Sequence, residues 1–318
     1  KDGGKWFYLD DDGNMLTDSW VDDDYYVAED GHMLTNEWKK TVSDDDQDDP
    51  DEDGESWYYF GSKGKKTTSD DKKINGKTYF FDEDGKMQYG WYADSNNNVY
   101  YLGEEDDGAR TNSSWLWLAA PDSEDDDEKD AADAVSHDSQ DDDDPCDEEG
   151  WYWFGSDGKM YKDAKQKKIN GKYYYFNNHG QMLYEWINGV KANVASNAKL
   201  DSDSIEATAS EVRYMNVVEE GWRADGWYQI DGAWYFMNAD GSLKQNESFL
   251  YDNNLYFVNK SGKMYQNQWL KWDGNYYYLR SWGGAAHEGW LLLQNKYYYI
   301  NEDCTRKTDE AFTYDNNL

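Results

Sequence analysis

The side chains that could do chemistry in this 318-residue chain are mainly aromatic rings, since it contains 17 Trp and 29 Tyr. The face of an aromatic ring attracts cations through its quadrupole. Three rings from successive structural units could therefore surround a quaternary ammonium group, and exposed Trp and Tyr faces also stack on sugar rings. These residue types predict non-covalent binding of a cation or a sugar, with packing of the rings in the protein core as the alternative.

Acid–base or nucleophilic catalysis has little support in the sequence. The four His residues stand in predicted turns or inserts, outside any H-E-x-x-H or G-x-S-x-G pattern. They are His32, His137, His179 and His287. Carboxylates are so abundant that a pair at the separation found in glycosidases would arise by chance. The chain is therefore predicted not to be an enzyme.

One acidic stretch resembles half of a calcium-binding loop. Asp49, Asp51 and Asp53 alternate ahead of Gly54, as the oxygen ligands in the first half of an EF-hand loop do. The twelfth position, which should be a bidentate Glu, is Phe60. The pattern makes Ca²⁺ at Asp49, Asp51 and Asp53 the one metal hypothesis, with a solvated acidic loop as the alternative. No other cofactor is expected.

The aromatic residues recur on a repeating unit. Residues 72–91, KKINGKTYFFDEDGKMQYGW, predict a β-hairpin in which the aromatic run 79–81 forms one strand, Gly85 lies in the turn and 86–89 return. A single hairpin is marginal in water, so its apolar faces must pack against copies of itself. Similar cores begin at Trp6, Asp24, Trp57, Thr78, Val99, Trp151, Tyr173, Val212, Trp234, Leu255, Tyr276 and Tyr297. The last four starts are 21 residues apart, which predicts an all-β repeat fold.

Acidic inserts interrupt the repeats and carry much of the formal net charge of −36. Two inserts, 44–53 and 122–149, are dominated by Asp and Glu, and a third, 188–211, is less acidic. We predict one repeat array spanning 1–318 from which these inserts project as loops, with the two acidic ones exposed and making few contacts to the aromatic core. Both chain ends fall within hairpin motifs, so we expect this array to be part of a longer protein.

Two classes of partner are disfavoured by the charge and hydropathy patterns. Basic residues are not clustered, so nucleic acid and anionic membrane surfaces are poor partners. In addition, no apolar run is long enough to cross a bilayer.

Three segments share adjacent aromatic residues, then a Gly turn, then Met. They are Trp6-Phe7-Tyr8 with Gly13 and Met15, Tyr25-Tyr26 with Gly31 and Met33, and Trp151-Tyr152-Trp153 with Gly158 and Met160. This pattern resembles the cell-wall-binding (choline-binding) repeats of Gram-positive surface proteins, to which glucan-binding repeats and the C-terminal repeats of clostridial toxins are related. The resemblance implies an all-β superhelical solenoid of about twelve stacked β-hairpins with acidic loop insertions. It also implies an extracellular, non-catalytic module at the bacterial cell surface that binds choline-decorated teichoic acid or a cell-wall polysaccharide.

The resemblance further implies which rings bind the ligand. In the family pattern, three rings form a cage. They are the first aromatic residue of one hairpin, the Trp that ends that hairpin unit (the closing Trp), and the third core residue of the next hairpin. A Met residue often lies beneath them. The first such set is Trp6, Trp20, Tyr26 and Met33. The second is Tyr276, Trp290 and Tyr299, with Arg306 at the Met position. A cation at that position is expected to repel a choline ligand.

A function of a different class stays open. Exposed aromatic hairpins at the ends of a solenoid could stack chain on chain into an extracellular fibre or homo-oligomer, with no small ligand. Concentration-dependent assembly would indicate that structural role, whereas saturable binding of choline or a glycan would indicate attachment.

Overall fold

The computed structural model describes residues 1–47, 54–141, 149–188, 212–309 and 311. They form two compact units, one of Lys1–Lys162 with His179–Gln181 and the other of Asp163–Asn178 with the chain from Met182 onward. In the described ranges the strands pair as eleven two-stranded antiparallel sheets, which confirms the all-β prediction. No helix in these ranges is long and apolar enough to span a membrane. Stacking of about twelve hairpins into one superhelical array over 1–318 stays a prediction.

The first unit contains ten strands and one short helix among its described residues. In chain order these are β1 (Ser19–Val21), β2 (Tyr25–Val27), β3 (Glu37–Thr41), β4 (Ser56–Phe60), β5 (Asp70–Ile74), β6 (Lys77–Phe81), β7 (Trp91–Ala93), β8 (Val99–Tyr101), β9 (Ser114–Leu118), α1 (Lys129–Val135) and β10 (Gly150–Phe154). Each odd-numbered strand pairs with the even-numbered strand that follows it.

The second unit contains twelve strands among its described residues, paired in the same way. They are β11 (Ala164–Ile169), β12 (Lys172–Phe176), β13 (Trp186–Asn188), β14 (Val212–Tyr214), β15 (Gly226–Ile230), β16 (Ala233–Met237), β17 (Glu247–Tyr251), β18 (Asn254–Val258), β19 (Gln268–Trp272), β20 (Asn275–Leu279), β21 (Gly289–Leu293) and β22 (Lys296–Ile300).

The strand pairing within 72–91 differs from the prediction. The aromatic strand β6 pairs with β5 before it, through a two-residue turn in which Asn75 and Gly76 have φ of 49° and 89°, as a type I′ hairpin requires. The segment after Gly85 makes an isolated bridge to β6, between Phe81 and Met87. The Met87 N–H donates to the Trp57 carbonyl oxygen of the preceding hairpin at 2.8 Å. Because backbone N–H groups must find partners, this short segment links two hairpins.

Strand β4 contributes rings to two separate clusters. Tyr58 and Phe60 are 1% and 0% exposed and pack with Trp20. Trp57 and Tyr59 belong to the other cluster. Successive side chains of a strand point to opposite faces, so one aromatic strand packs on both sides. One aromatic strand therefore contributes to two aromatic clusters in a chain whose mean hydropathy is low.

The second acidic insert, 122–149, contains an ordered helix, and the prediction that it is exposed with few core contacts was wrong for this part. In α1, Ala131, Ala132 and Val135 are at most 2% exposed, and Ala131 and Val135 cluster with Trp91 and Val99. Residues four apart lie on the same helix face, and small side chains allow close approach. From sequence, the Ala-rich segment 131–135 is compatible with a helical turn or with none, because a helix of only seven residues gives too short a periodic signal.

Trp20 makes one hydrogen bond to Gln47 of the first acidic insert and one to Val42, which lies just before it. The Trp20 indole Nε1 donates to the Val42 carbonyl oxygen at 2.8 Å, and the Trp20 backbone N–H donates to Gln47 Oε1 at 2.7 Å. Trp20 is consequently only 4% exposed. Of these two partners only Gln47 belongs to the insert, and its side chain accepts one hydrogen bond from the core. None of residues 44–47 is buried, which agrees with the expectation of few core contacts for this described part of the insert.

Candidate ligand-binding cages

A recurring backbone hydrogen bond positions the candidate binding rings. The residue at the Met position of one hairpin, which we call the floor position, donates its N–H to the carbonyl oxygen of the first core residue of the hairpin before it. Three such pairs join Met to Trp, each at 2.8 Å: Met33 to Trp6, Met87 to Trp57, and Met264 to Trp234. This bond places a Met side chain beneath an indole ring whenever the two positions carry those residues.

One complete cage lies in the first unit. Trp38 and Trp57 stand nearly perpendicular, with ring centroids 6.4 Å apart and an interplanar angle of 87°. Tyr79 packs against Trp38 at 4.9 Å, and Met87, which is 6% exposed, lies at the floor position. These four residues, here called the Trp57 cage, line a cavity of about 220 Å³. Its walls are three aromatic rings and a thioether.

The rim of the Trp57 cage is acidic. Asp106 and Asp107, from the loop between β8 and β9, also line the cavity. The Trp57 indole N–H donates to Asp106 Oδ1 at 2.9 Å, and Lys40 Nζ donates to the same oxygen at 2.8 Å. The hydrogen bond from Lys40, followed by that from Trp57, holds the pKa of Asp106 below its ordinary value. Asp106 is therefore ionised at neutral pH, where it orients the indole and favours a cationic ligand.

The lengthened loop that carries these carboxylates also supports the cage floor. Gly108 has φ of 59°, and a Cβ built at this position would lie 2.3 Å from Met87 Sδ. We expect Gly108→Ala to displace Met87 and weaken choline binding by about 2- to 10-fold, the range of a Met–ring contact. Isothermal titration calorimetry with choline would measure this loss. The protein would also carry Trp234→Ala, so that binding by the Trp234 cage does not contribute to the signal.

Gly76→Ala is the matched control for this substitution. Gly76 has a positive φ of 89°, so Ala is strained there too, yet a Cβ would meet no atom within 4 Å. Equal losses of choline affinity in both variants would assign the effect to backbone strain and contradict a role for the Met87 floor.

The second unit contains an equivalent cage. Trp227 and Trp234 have ring centroids 6.4 Å apart at an angle of 82°, and Tyr256 lies 4.9 Å from Trp227. Met264 occupies the floor position through its bond to Trp234. We call these four residues the Trp234 cage. Its centroid separations equal those of the Trp57 cage, so the same sequence positions produce the same geometry in both units.

The first set predicted from sequence is divided by the structure. Trp6 and Met33 line a cavity of about 250 Å³, together with Tyr25. Trp20 and Tyr26 instead lie in the buried cluster that contains Tyr58 and Phe60. The reason is strand alternation, since Tyr25 and Tyr26 point to opposite faces of β2.

The second predicted set is likewise divided, because its members form two different pairs. Tyr276 lies beneath the Arg306 guanidinium, with Cζ 4.4 Å from the ring centroid. Trp290 packs against Tyr299 at 5.3 Å and is 52% exposed. Ligand binding by either set stays a prediction.

Sequence reasoning missed the residues of the Trp57 and Trp234 cages because it paired each first core residue with the closing Trp that follows. The structure pairs it with the Trp of the preceding strand, as in the register Lys40↔Trp57 next to Trp38↔Tyr59. A usable signal was present. Trp57 and Met87 are 30 residues apart, and so are Trp234 and Met264.

Repeats with Val as the first core residue have no open cage. Trp91, Val99, Tyr152 and Met160, the equivalent positions around β8, are all buried in the cluster that includes α1. Trp186, Val212, Tyr235 and Leu243 are buried together in the second unit. A smaller first residue therefore turns the cage positions into ordinary core.

A metal centre has no support in the described part of the chain, where no group of three His, Cys, Asp or Glu side chains could hold an ion. Asp49, Asp51 and Asp53 lie outside the described residues, so the calcium hypothesis stays a prediction.

Three similar solved structures come from Streptococcus pneumoniae. Choline-binding protein F superposes with a TM-score of 0.56 at 20% identity, covering 97% of both chains. CbpJ gives 0.59 at 18% identity, covering 96% of this chain and 98% of its own. A structure of choline-binding protein F in the presence of a peptidoglycan analogue gives 0.56 at 21% identity, covering 96% of each. At these identities the likeness shows a shared fold. No curated protein sequence matches the chain.

Family models match along both units. Choline-binding repeat models match 3–32 and 68–115. The putative cell wall binding repeat matches 52–66, 146–160, 167–182, 225–243 and 267–285. Together these segments span about half of the sequence, and they include Trp57, Tyr79 and Met87 of the first cage and Trp227 and Trp234 of the second. The chain belongs to the choline-binding repeat family.

Proposed function

We propose that this protein attaches non-catalytically to a bacterial cell-wall polymer by binding quaternary ammonium groups, such as the choline of teichoic acid, in the Trp57 and Trp234 cages. The observation that carries the proposal is the Trp57 cage itself, with three rings and a Met around a cavity of about 220 Å³ and carboxylates at its rim. Such walls complement a methylated cation that has no hydrogen-bond donors on its charged group. The surroundings of the protein would then be the extracellular surface of a Gram-positive cell.

The lining of the cage favours choline over a sugar. A bound sugar leaves hydroxyl groups that need hydrogen-bond partners, whereas the walls of the Trp57 cage are rings and a thioether. The nearest carboxylate, Asp106, already accepts hydrogen bonds from Trp57 and Lys40. Asp107 is paired with Lys77 at 3.0 Å. A glycan is therefore the second candidate ligand.

The weak binding expected for one cage explains why several cages are useful. Three rings at roughly 0.5–2 kcal/mol each give about 2–6 kcal/mol, which corresponds to dissociation constants from roughly tens of millimolar to tens of micromolar. A polymer with repeated choline groups can engage both cages, and this gains on the order of 10²–10⁴ in avidity. Attachment to a polymer therefore suits the arrangement better than capture of free choline.

Titration with choline tests the proposal. We expect saturable binding by the wild-type protein, with one site lost in Trp57→Ala, one lost in Trp234→Ala and none lost in Leu250→Ala, a 74% exposed position outside both cages. The neutral isostere 3,3-dimethyl-1-butanol should bind more weakly than choline, because it has the shape of choline without the charge. Matched circular dichroism spectra would show that each variant is folded.

Two other outcomes would contradict the proposal. Binding of a glucan oligomer without a response to choline would favour glycan attachment. If neither ligand binds and the protein assembles into filaments as its concentration rises, the structural role of a self-associating surface fibre would be favoured.

A further inference from the structure

We infer that a third cage, formed by Trp269, Tyr276 and Tyr298, is occupied by the chain's own Arg306, so that the floor residue decides whether a repeat binds an external cation or an internal one. This inference rests on the proposed function and adds a latent cation site with a defined switch. The four residues are called the Tyr276 cage below.

One ring pair of the Tyr276 cage matches the equivalent pair of the Trp57 cage. Trp269 and Tyr298 have ring centroids 4.9 Å apart at 58°, compared with 4.9 Å and 65° for Trp38 and Tyr79. The Arg306 N–H donates to the Tyr276 carbonyl oxygen at 2.7 Å, which is the bond that defines the floor position. Arg306 therefore stands where Met87 stands in the Trp57 cage.

The guanidinium of Arg306 is held by aromatic faces. Its Cζ atom lies 4.4 Å from the Tyr276 centroid and 5.2 Å from that of Trp269. Its Nε is buried without a hydrogen-bond partner, and no carboxylate among the described residues pairs with it. A cation that lies over two ring faces, with no carboxylate partner in the described part of the chain, takes the place and the chemistry of the ligand ammonium. The cage is thus filled by an intramolecular cation at high effective concentration.

Other floor cations follow the same pattern. Lys66 Nζ lies 5.3 Å from the Trp20 ring centroid, and Arg223 Cζ lies 4.5 Å from that of Tyr173. Lys66 also pairs with Asp23 at 2.6 Å. In contrast, the floor residues of the Trp57 and Trp234 cages are Met. From sequence, a floor cation is expected to repel choline. In addition, the cation itself fills the space over the rings that choline would take.

A reciprocal exchange of floor residues tests the inference. The number of bound choline molecules would be measured by equilibrium dialysis with labelled choline on wild type, Arg306→Met and Met87→Arg. We expect Arg306→Met to add one site and Met87→Arg to remove one. Arg306→Lys, which keeps a cation at the floor, should leave the number of sites at the wild-type value.

The outcomes separate this inference from the proposed function. A folded Arg306→Met protein with the same number of sites as a choline-binding wild type would overturn the inference and leave the proposed function intact. Binding by Arg306→Met alone, with none by wild type, would support the inference and contradict the proposed function. The absence of binding in both proteins would overturn both.

Discussion

Replacing Phe60 with Ala is expected to lower the free energy of unfolding by about 3–5 kcal/mol. Phe60 is 0% exposed, and its ring centroid lies 5.6 Å from Trp20 and 6.1 Å from Tyr26. Truncation removes the contacts with these two rings and leaves a cavity that the rigid indole and phenol rings cannot fill. Denaturant unfolding followed by Trp fluorescence would measure the loss.

The matched control for Phe60 is Leu9→Ala. Leu9 belongs to the same unit and is 57% exposed, so its truncation should change the unfolding free energy by less than about 0.5 kcal/mol. A similar small loss for Phe60→Ala would mean that the aromatic clusters do not hold the hairpins together. The reading of β4 as a strand packed on both faces would then be wrong.

Introducing a charge beneath helix α1 is expected to have the second largest effect. Ala132 is 0% exposed, so Ala132→Asp either buries an unpaired carboxylate, at a cost of about 3–5 kcal/mol, or forces α1 away from the core. The helix is short and bordered by exposed acidic residues, so we expect it to detach. Lys129 would then become a site of rapid trypsin cleavage.

Limited proteolysis and Trp fluorescence would measure this detachment. Trp91 is 3% exposed in the cluster that α1 covers, so loss of the helix should shift the emission to longer wavelength. Gln140→Glu adds the same charge at an exposed position and should leave both readouts unchanged. Protection of Lys129 in a folded Ala132→Asp protein would show that α1 is not held by its Ala face.

The same hairpin repeat has three forms in this chain: an open cage, a cage filled by a cation of the chain itself, and a closed core. Trp as the first core residue above a Met floor produces an open cage, as with Trp57 and Met87. A cation at the floor places an internal ligand over the rings, as Arg306 does. Val as the first residue, as at Val99, leads to a closed core. Variation at two positions thus changes the role of a repeat while the backbone hydrogen bond between hairpins is kept.

Much of the fold could be read from local sequence patterns. Runs of consecutive aromatic residues mark strands such as β4. The Asn75-Gly76 pair that joins β5 and β6 is also a local turn pattern, although the prediction of a turn at Gly85 passed over it. These features depend on interactions between near neighbours in the chain, which is why a single sequence reveals them. Trp6 and Met33 of the first predicted set line one cavity, whereas Trp20 and Tyr26 of the same set lie in a separate buried cluster.

The composition of the repeats was determined by the sequence alone: aromatic hairpins, Met or a cation at the floor position, and an acidic surface. Which rings meet was decided by tertiary structure. Trp38 joins Trp57 across a strand ladder, and Met87 joins it through a hydrogen bond between hairpins. A shift of one residue along a strand moves a side chain to the opposite face, so Tyr25 reaches a cavity while Tyr26 is buried. The docking of α1 on Trp91 depends in the same way on contacts between residues far apart in the chain, which no local pattern encodes.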